Sequence, residues 1–210
     1  MKKTLAVISL LLISFLFSSC GSLTYINDYW QKPDYKGRKY SKILVWVLAK
    51  ESSFSRRVIE DKVVSDLKSA GVSAIPSYDK FSSDLLEGQS EYDEKVKEEK
   101  LMNTVKSTGA DGVLILAVKD IKKYKSYSPG YYGYPFYNYY YSNYESVFGT
   151  GYYTINSDVF IESGLIDLNM NQLVYSVMSE TVNPRSVKDF AESFSKKIIG
   201  TMVEQGIVLK

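Results

Sequence analysis

Two uninterrupted apolar runs, Ile43 to Leu48 and Val113 to Val118, constrain this chain more than any other feature. A strand that is apolar at every position has both faces covered, which happens when helices lie on both sides of a largely parallel sheet. The chain between the runs supplies those helices. Ser52 or Ser53 offers an N-cap, and Phe54, Val58, Val63, Val64 and Leu67 keep helical spacing up to Gly71. Val72 to Ile75 reads as a short strand closed by Pro76, and Ser77 to Ser90 as a polar connection holding Phe81, Leu85 and Leu86. Glu91 to Thr108 reads as a charged helix that ends at Gly109, with Val96, Leu101, Met102 and Val105 on its buried side. The order βαβαβ implies parallel pairing with right-handed crossovers.

Beyond Ile121, the expected end of the second run's strand, the chain changes character. Tyrosine fills half of the positions from Tyr127 to Tyr144, interleaved with Pro129, Gly130, Gly133 and Pro135, which argues against a helix or a central strand there. Regular structure is expected again from about Tyr152 to Leu168 and from Leu173 to Thr181, joined as a hairpin by Asn169-Met170-Asn171-Gln172. Ser186 to Gln205 carries Val187, Phe190, Phe194, Ile198 and Met202 at helical spacing, with Asp189 completing a capping box. The expected fold is α/β, one domain over residues 42–210. It has a mixed sheet of four or five strands in the order βαβαβ-ββα, three helices, and a Tyr/Gly/Pro-rich insertion at 127–150 before the last hairpin.

The beginning of the chain speaks about address. Lys2 and Lys3 precede a run from Leu5 to Phe17 broken only by Ser9 and Ser14, the charge and hydropathy order of a secretory signal and too short to span a bilayer. Phe17-Ser18-Ser19-Cys20-Gly21 resembles the bacterial lipobox, with Phe17 where an aliphatic residue is usual. That resemblance implies cleavage after Ser19, acylation of Cys20 and attachment to a membrane through its lipid. Residues 1–19 are then a signal peptide, and 20–41, with Tyr25, Trp30, Pro33, Tyr35, Gly37 and Tyr40 at no regular period, read as a lipidated tether. By resemblance to lipoprotein sorting rules, the absence of Asp after Cys20 favours the outer membrane, periplasmic side. Cys20 is the single cysteine, so no internal disulfide is available.

The segments Lys42-Ile-Leu-Val-Trp-Val47, Gly71-Val-Ser-Ala-Ile-Pro76, Thr108-Gly-Ala-Asp-Gly-Val-Leu-Ile115, Leu165-Ile-Asp-Leu168 and Leu173-Val-Tyr-Ser176 together resemble a broad set of bacterial lipoproteins. These share the α/β fold of the TolB amino-terminal domain and of the periplasmic domain of the curli secretion protein CsgG. The resemblance covers about residues 42 to 207. It implies a fold and an envelope setting, and members that act by binding partners; it maps no catalytic residue onto this chain.

The residues themselves point away from catalysis. There is no histidine, so Ser/His and Cys/His pairs and the commonest metal ligand are missing, and the lipobox resemblance assigns the one thiol, on Cys20, to lipid. Gly149-Thr-Gly151 opens no helix, no phosphate loop is present, and no cofactor is expected. Removing residues 1–19 takes away Lys2 and Lys3 and no acid, which leaves bases and acids equal at 24 each, without the basic excess of a nucleic-acid partner. Asp158, Glu162 and Asp167 are the carboxylates a glycosidase-type reaction could use, but 24 acids place some together by chance and a solvated hairpin face is the better account of them. Glu91, Asp93, Glu94, Glu98 and Glu99, mixed with lysines, read as the wet side of a helix.

Tyrosine buries area, keeps a hydroxyl and loses few rotamers, so Tyr131, Tyr132, Tyr134, Phe136, Tyr137, Tyr139, Tyr140 and Tyr141 form a candidate binding loop for an envelope protein or peptidoglycan; a low-complexity insertion is the plain alternative. The function expected is a non-enzymatic, outer-membrane-anchored binding or assembly factor. The alternatives are a carboxylate-dependent glycan hydrolase and a structural subunit of an export assembly. The two prolines do not suit membrane-spanning strands.

Overall fold

A computed structural model describes residues 21–48, 53–81, 94–128 and 152–209. Among these the elements run β1 Leu23–Gln31, β2 Ile43–Leu48, α1 Ser53–Ser69, β3 Ala74–Pro76, α2 Glu94–Ser107, β4 Gly112–Ser128, β5 Tyr152–Asp167, β6 Gln172–Val182 and α3 Val187–Glu204. They form a single mixed α/β unit around a six-stranded sheet in the order β1-β6-β5-β4-β2-β3. β2 pairs in parallel with β3 and β4, whereas β4, β5, β6 and β1 follow one another antiparallel.

The two apolar runs lie where double coverage requires. Ile43, Val45 and Val47 of β2, with Leu114 and Leu116 of β4, pack under α1 and α3 on the face we call inner. The alternate residues Leu44, Trp46 and Val113 pack with Phe81 and with Leu101 and Val105 of α2 on the outer face. Phe190, Phe194, Ile198 and Met202 of α3 are all buried. The Ser186 side chain caps α3 by accepting from the Asp189 amide at 3.1 Å, while Asp189 reaches back to the Arg185 amide at 2.9 Å. The helices stop where expected, at Gly71, Gly109 and Gly206, each with positive φ.

The start of the domain departs from expectation. Residues 23–31, read as part of an irregular tether, form β1, an antiparallel edge strand on β6 from Leu23↔Val182 to Gln31↔Tyr175. Its inward Thr24 bonds the Thr181 and Ser193 hydroxyls at 2.8 and 2.9 Å and Ile26 packs on the core, so the strand is held by hydroxyl pairing as much as by apolar burial. A bulge between Ile26 and Asp28 then shifts the alternation. Tyr40 is buried as well. The sheet therefore has six strands rather than four or five. β4 also runs past Ile121 to Ser128 because its partner β5 begins as far back as Tyr152.

Candidate functional surface

Cys20 and Tyr131, Tyr132, Tyr134, Phe136, Tyr137, Tyr139, Tyr140 and Tyr141 lie outside the described residues. The structure does describe the strands on either side of that segment: β4 ends at Ser128 and β5 begins at Tyr152, and these two residues pair with each other.

The three hairpin carboxylates are not brought together. Asp167 is fully buried on the inner face, where it accepts from Arg38 Nη1 at 3.2 Å, from the Tyr40 hydroxyl at 3.4 Å and from the Asn169 and Met170 amides at 2.9 and 3.1 Å. Glu162 is on the outer face with Lys119 at 2.8 Å and Ser176 at 3.2 Å. Asp158, on the same face, is four residues along the strand, roughly 13 Å away by strand geometry, and accepts from the Asn183 amide at 3.2 Å. The Lys119 hydrogen bond, opposed by some desolvation, holds the Glu162 carboxyl below the usual range, the reverse of what a proton-donating glycosidase acid needs.

Two carboxylate networks hold the domain together. Asp111 accepts from the Ser41 and Lys42 amides at 3.0 Å each and from Arg38 Nη2 at 2.6 Å, so that Arg38 bridges Asp111 and Asp167. Burial works to raise the Asp111 pKa, but those amides and the guanidinium outweigh it and the net direction is down. Burial, then the 2.7 Å hydrogen bond with Tyr35, raises the Tyr40 phenol above its ordinary value, which keeps it a donor. The other network centres on Glu60, whose fully buried side chain accepts from the Val47, Ser77 and Tyr78 amides, the Ser77 hydroxyl and Arg56 Nε. It ties α1 to β2 and to the chain leaving β3. Sequence reasoning passed over both networks; Asp111 lies within the Gly-Ala-Asp-Gly motif, but that spacing alone specifies only a turn.

At the start of α3, Asp189 joins three parts of the chain. It pairs with Arg185 and accepts from the Ser22 amide at 3.3 Å, and its backbone carbonyl accepts from the Ser22 hydroxyl at 3.1 Å. The Arg185 side chain first, then the Arg185 and Ser22 amides, hold its carboxyl at about 2. A depressed carboxyl contributes stability that is present above its unfolded value, about 3.9, and is lost as pH falls through the folded value. Thermal melts followed by circular dichroism between pH 5 and 2 are therefore expected to show a steeper fall in Tm for the wild type than for Asp189→Asn. Parallel curves would refute the assignment.

A cleft of about 240 Å³ lies between the N-terminal ends of α1 and α3 and the β4–β5 strands, floored by Ile59, Val118, Val159 and Phe190 and rimmed by Ser55, Arg56, Ser157 and Ser186. It is smaller than the roughly 300 Å³ at which small-molecule sites begin, and its one charged group, Arg56, is already committed to Glu60 and Ser77.

The remaining feature is the outer face. α2 covers it over β2 and β4 only, and over β6 and β1 the large side chains stand in solvent. Strand alternation puts Leu23, Tyr25 and Trp30 of β1 and Leu173 of β6 on this face, at 61, 52, 46 and 43% exposure. Trp30 is aligned with Ser176, and Leu173 is opposite Ile166. The fold and its surface thus define an α/β domain with one face of its antiparallel half left uncovered by described residues.

No family model matches the chain and no curated protein matches it. Among solved structures it is similar to the PelC dodecamer from Paraburkholderia phytofirmans, with a TM-score of 0.48 and 14% identity over 90% of this chain and 100% of that one. It is also similar to lipoprotein GNA1162 from Neisseria meningitidis, with a TM-score of 0.41 and 12% identity over 78% of this chain and 99% of that one. At these identities the likeness is one of outline, and no residue role is carried over. Among the described residues no helix is long and apolar enough to cross a membrane.

Proposed function

We propose that the protein is an outer-membrane lipoprotein, held through Cys20, that works without catalysis by binding a second envelope protein on the uncovered face of β1 and β6. The observation that carries this reading is Trp30 and Leu173, both more than two-fifths exposed at one end of that sheet face, while Leu23 and Tyr25 stand at its other end. A sheet normally covers its apolar face, and a solvent-facing tryptophan beside an exposed leucine is the kind of anchor from which protein interfaces are made. The envelope setting implied by the sequence resemblance and the lipobox-like Phe17-Ser-Ser-Cys20 support the same reading. The separation of Asp158, Glu162 and Asp167 lends nothing to the hydrolase alternative.

A photo-crosslinking residue at position 30 or 173 is expected to give discrete adducts in cells, whereas position 197, on the exposed side of α3, gives none of them. Trp30→Ala in the chain labelled at 173 is expected to weaken those adducts at least tenfold, the scale of an interface anchor. The same adducts from position 197, or none from 30 and 173, would remove the basis for the proposal. An adduct of the chain with itself would identify the face as a contact between copies.

A further inference from the structure

We infer that the β4–β5 ribbon is a second membrane contact, a basic arm that rests on anionic phospholipid headgroups beside the acyl anchor; the inference rests on the anchoring of Cys20 proposed above. It begins from strand register. Asp120, Phe160, Glu180 and Tyr25 form one row across β4, β5, β6 and β1. From that row β1 runs back toward Cys20, five residues before Tyr25 and so at most about 17 Å away. β4 leaves the same row in the same direction, paired with β5 from Lys122↔Asp158 to Ser128↔Tyr152, and its eight further residues span about 26 Å. β6 stops at Val182 and gives the arm no third strand. The arm therefore projects from the end of the domain that bears the lipid, and it reaches farther than the anchor allows the domain to stand off. Its outer part is thereby within reach of the surface that holds the acyl chains.

The composition of the arm fits that surface. Beyond Val118, β4 carries Lys119, Lys122, Lys123 and Lys125 against Asp120, and β5 from Tyr152 to Val159 carries Asp158 alone. Lys122 and Lys123 are exposed, and strand alternation sends them to opposite faces, so the root of the ribbon presents a cation on each face. The Lys122 ammonium lies 4.6 Å from the centre of the Phe160 ring, a cation beside an aromatic on the outer face. Leu23 and Tyr25, exposed at the root of the anchor, add the apolar and aromatic groups that settle at headgroup level. Lysines next to a membrane anchor are drawn to anionic headgroups over about a Debye length. A mature chain with no net charge thus presents its positive excess at the end where an anionic surface would lie.

The test removes the lipid so that only the arm is measured. The chain from Gly21 onward, which contains every described element, is sedimented at low ionic strength with vesicles of equal phosphatidylcholine and phosphatidylglycerol, and with vesicles of phosphatidylcholine alone. Binding is expected to the first only, to weaken steeply with added salt, and to fall at least tenfold in Lys122→Glu/Lys123→Glu/Lys125→Glu. The matched variant Lys196→Glu/Lys197→Glu, on the exposed side of α3, is expected to bind as the parent does, and circular dichroism of both variants checks the fold. Equal binding to both vesicles, equal loss in both variants, or displacement by polyglutamate as readily as by phosphatidylglycerol would overturn the inference. Incorporation of a palmitate analogue at Cys20 is measured separately on the cellular protein, so failure of the anchor and failure of the arm give different results.

Discussion

Glu60→Ala is expected to lower the free energy of unfolding by about 3–5 kcal/mol, the scale for removing one partner from a buried ion pair. Urea titration reads it as a shift in midpoint at unchanged slope. The size follows from what the carboxylate leaves behind. The Val47, Ser77 and Tyr78 amides lose their acceptor in a place where water does not replace it, and Arg56, with 16% of its side chain exposed, keeps its charge without its partner. Glu60→Gln keeps the shape but turns an amide donor toward a ring of donors, so it is expected to recover only part of the loss. A cost under about 1 kcal/mol for the alanine variant would mean that water can enter between α1 and β2.

Gly37→Ala is expected to cost about 3 kcal/mol or more, combining left-handed backbone strain with overpacking. Gly37 has φ 73°, and a Cβ there would stand 1.7 Å from the Gly206 carbonyl oxygen and 2.8 Å from its carbon. Both obstacles are backbone, so no rotamer change relieves them. What must part is the contact between the approach to β2 and the tail after α3, where Arg38 bridges Val208 and the Leu209 amide donates to the Arg38 carbonyl at 3.0 Å. Hydrogen exchange at the Leu209 amide is expected to rise ahead of global unfolding. Gly200 on α3 is the control: nothing lies within 4 Å of its Cβ position, so Gly200→Ala is expected to stabilise by about 0.5–1 kcal/mol through helix propensity. Equal effects at the two positions would show that crowding at Gly37 is not the cause.

The parts of the fold legible from sequence are those whose physics is local. Ile43–Leu48 and Val113–Val118 are apolar at every position because both faces are covered, and α3 shows its buried stripe because one side of it packs. β1 was not legible for an equally physical reason. Its inward positions include Thr24, satisfied by two hydroxyls, its outward positions include Leu23, Tyr25 and Trp30, and a bulge at Asn27 shifts the period, so the alternation a half-buried strand should show is blurred. The length of β4 depends on what β5 offers across the sheet, which no window within β4 contains. The surface was legible only in part. Trp30 and Tyr25 stood out as aromatics, but assigning them to one face requires the register with β6, and assigning the lysines of β4 to the end where β1 begins requires the register of four strands at once.

The pairing of β1 with β6 also sets an order of events. Ser22 and Asp189 hydrogen-bond across 167 positions of chain, and β1 has no partner in the sheet until β6 arrives. For a polypeptide that crosses a membrane amino end first, its leading strand stays without its partner until nearly the whole chain has passed. Closure of this edge is thereby a late, non-local pairing, of the kind that is slow to form, so the sheet is zipped at its amino-terminal edge after its other strands are in place.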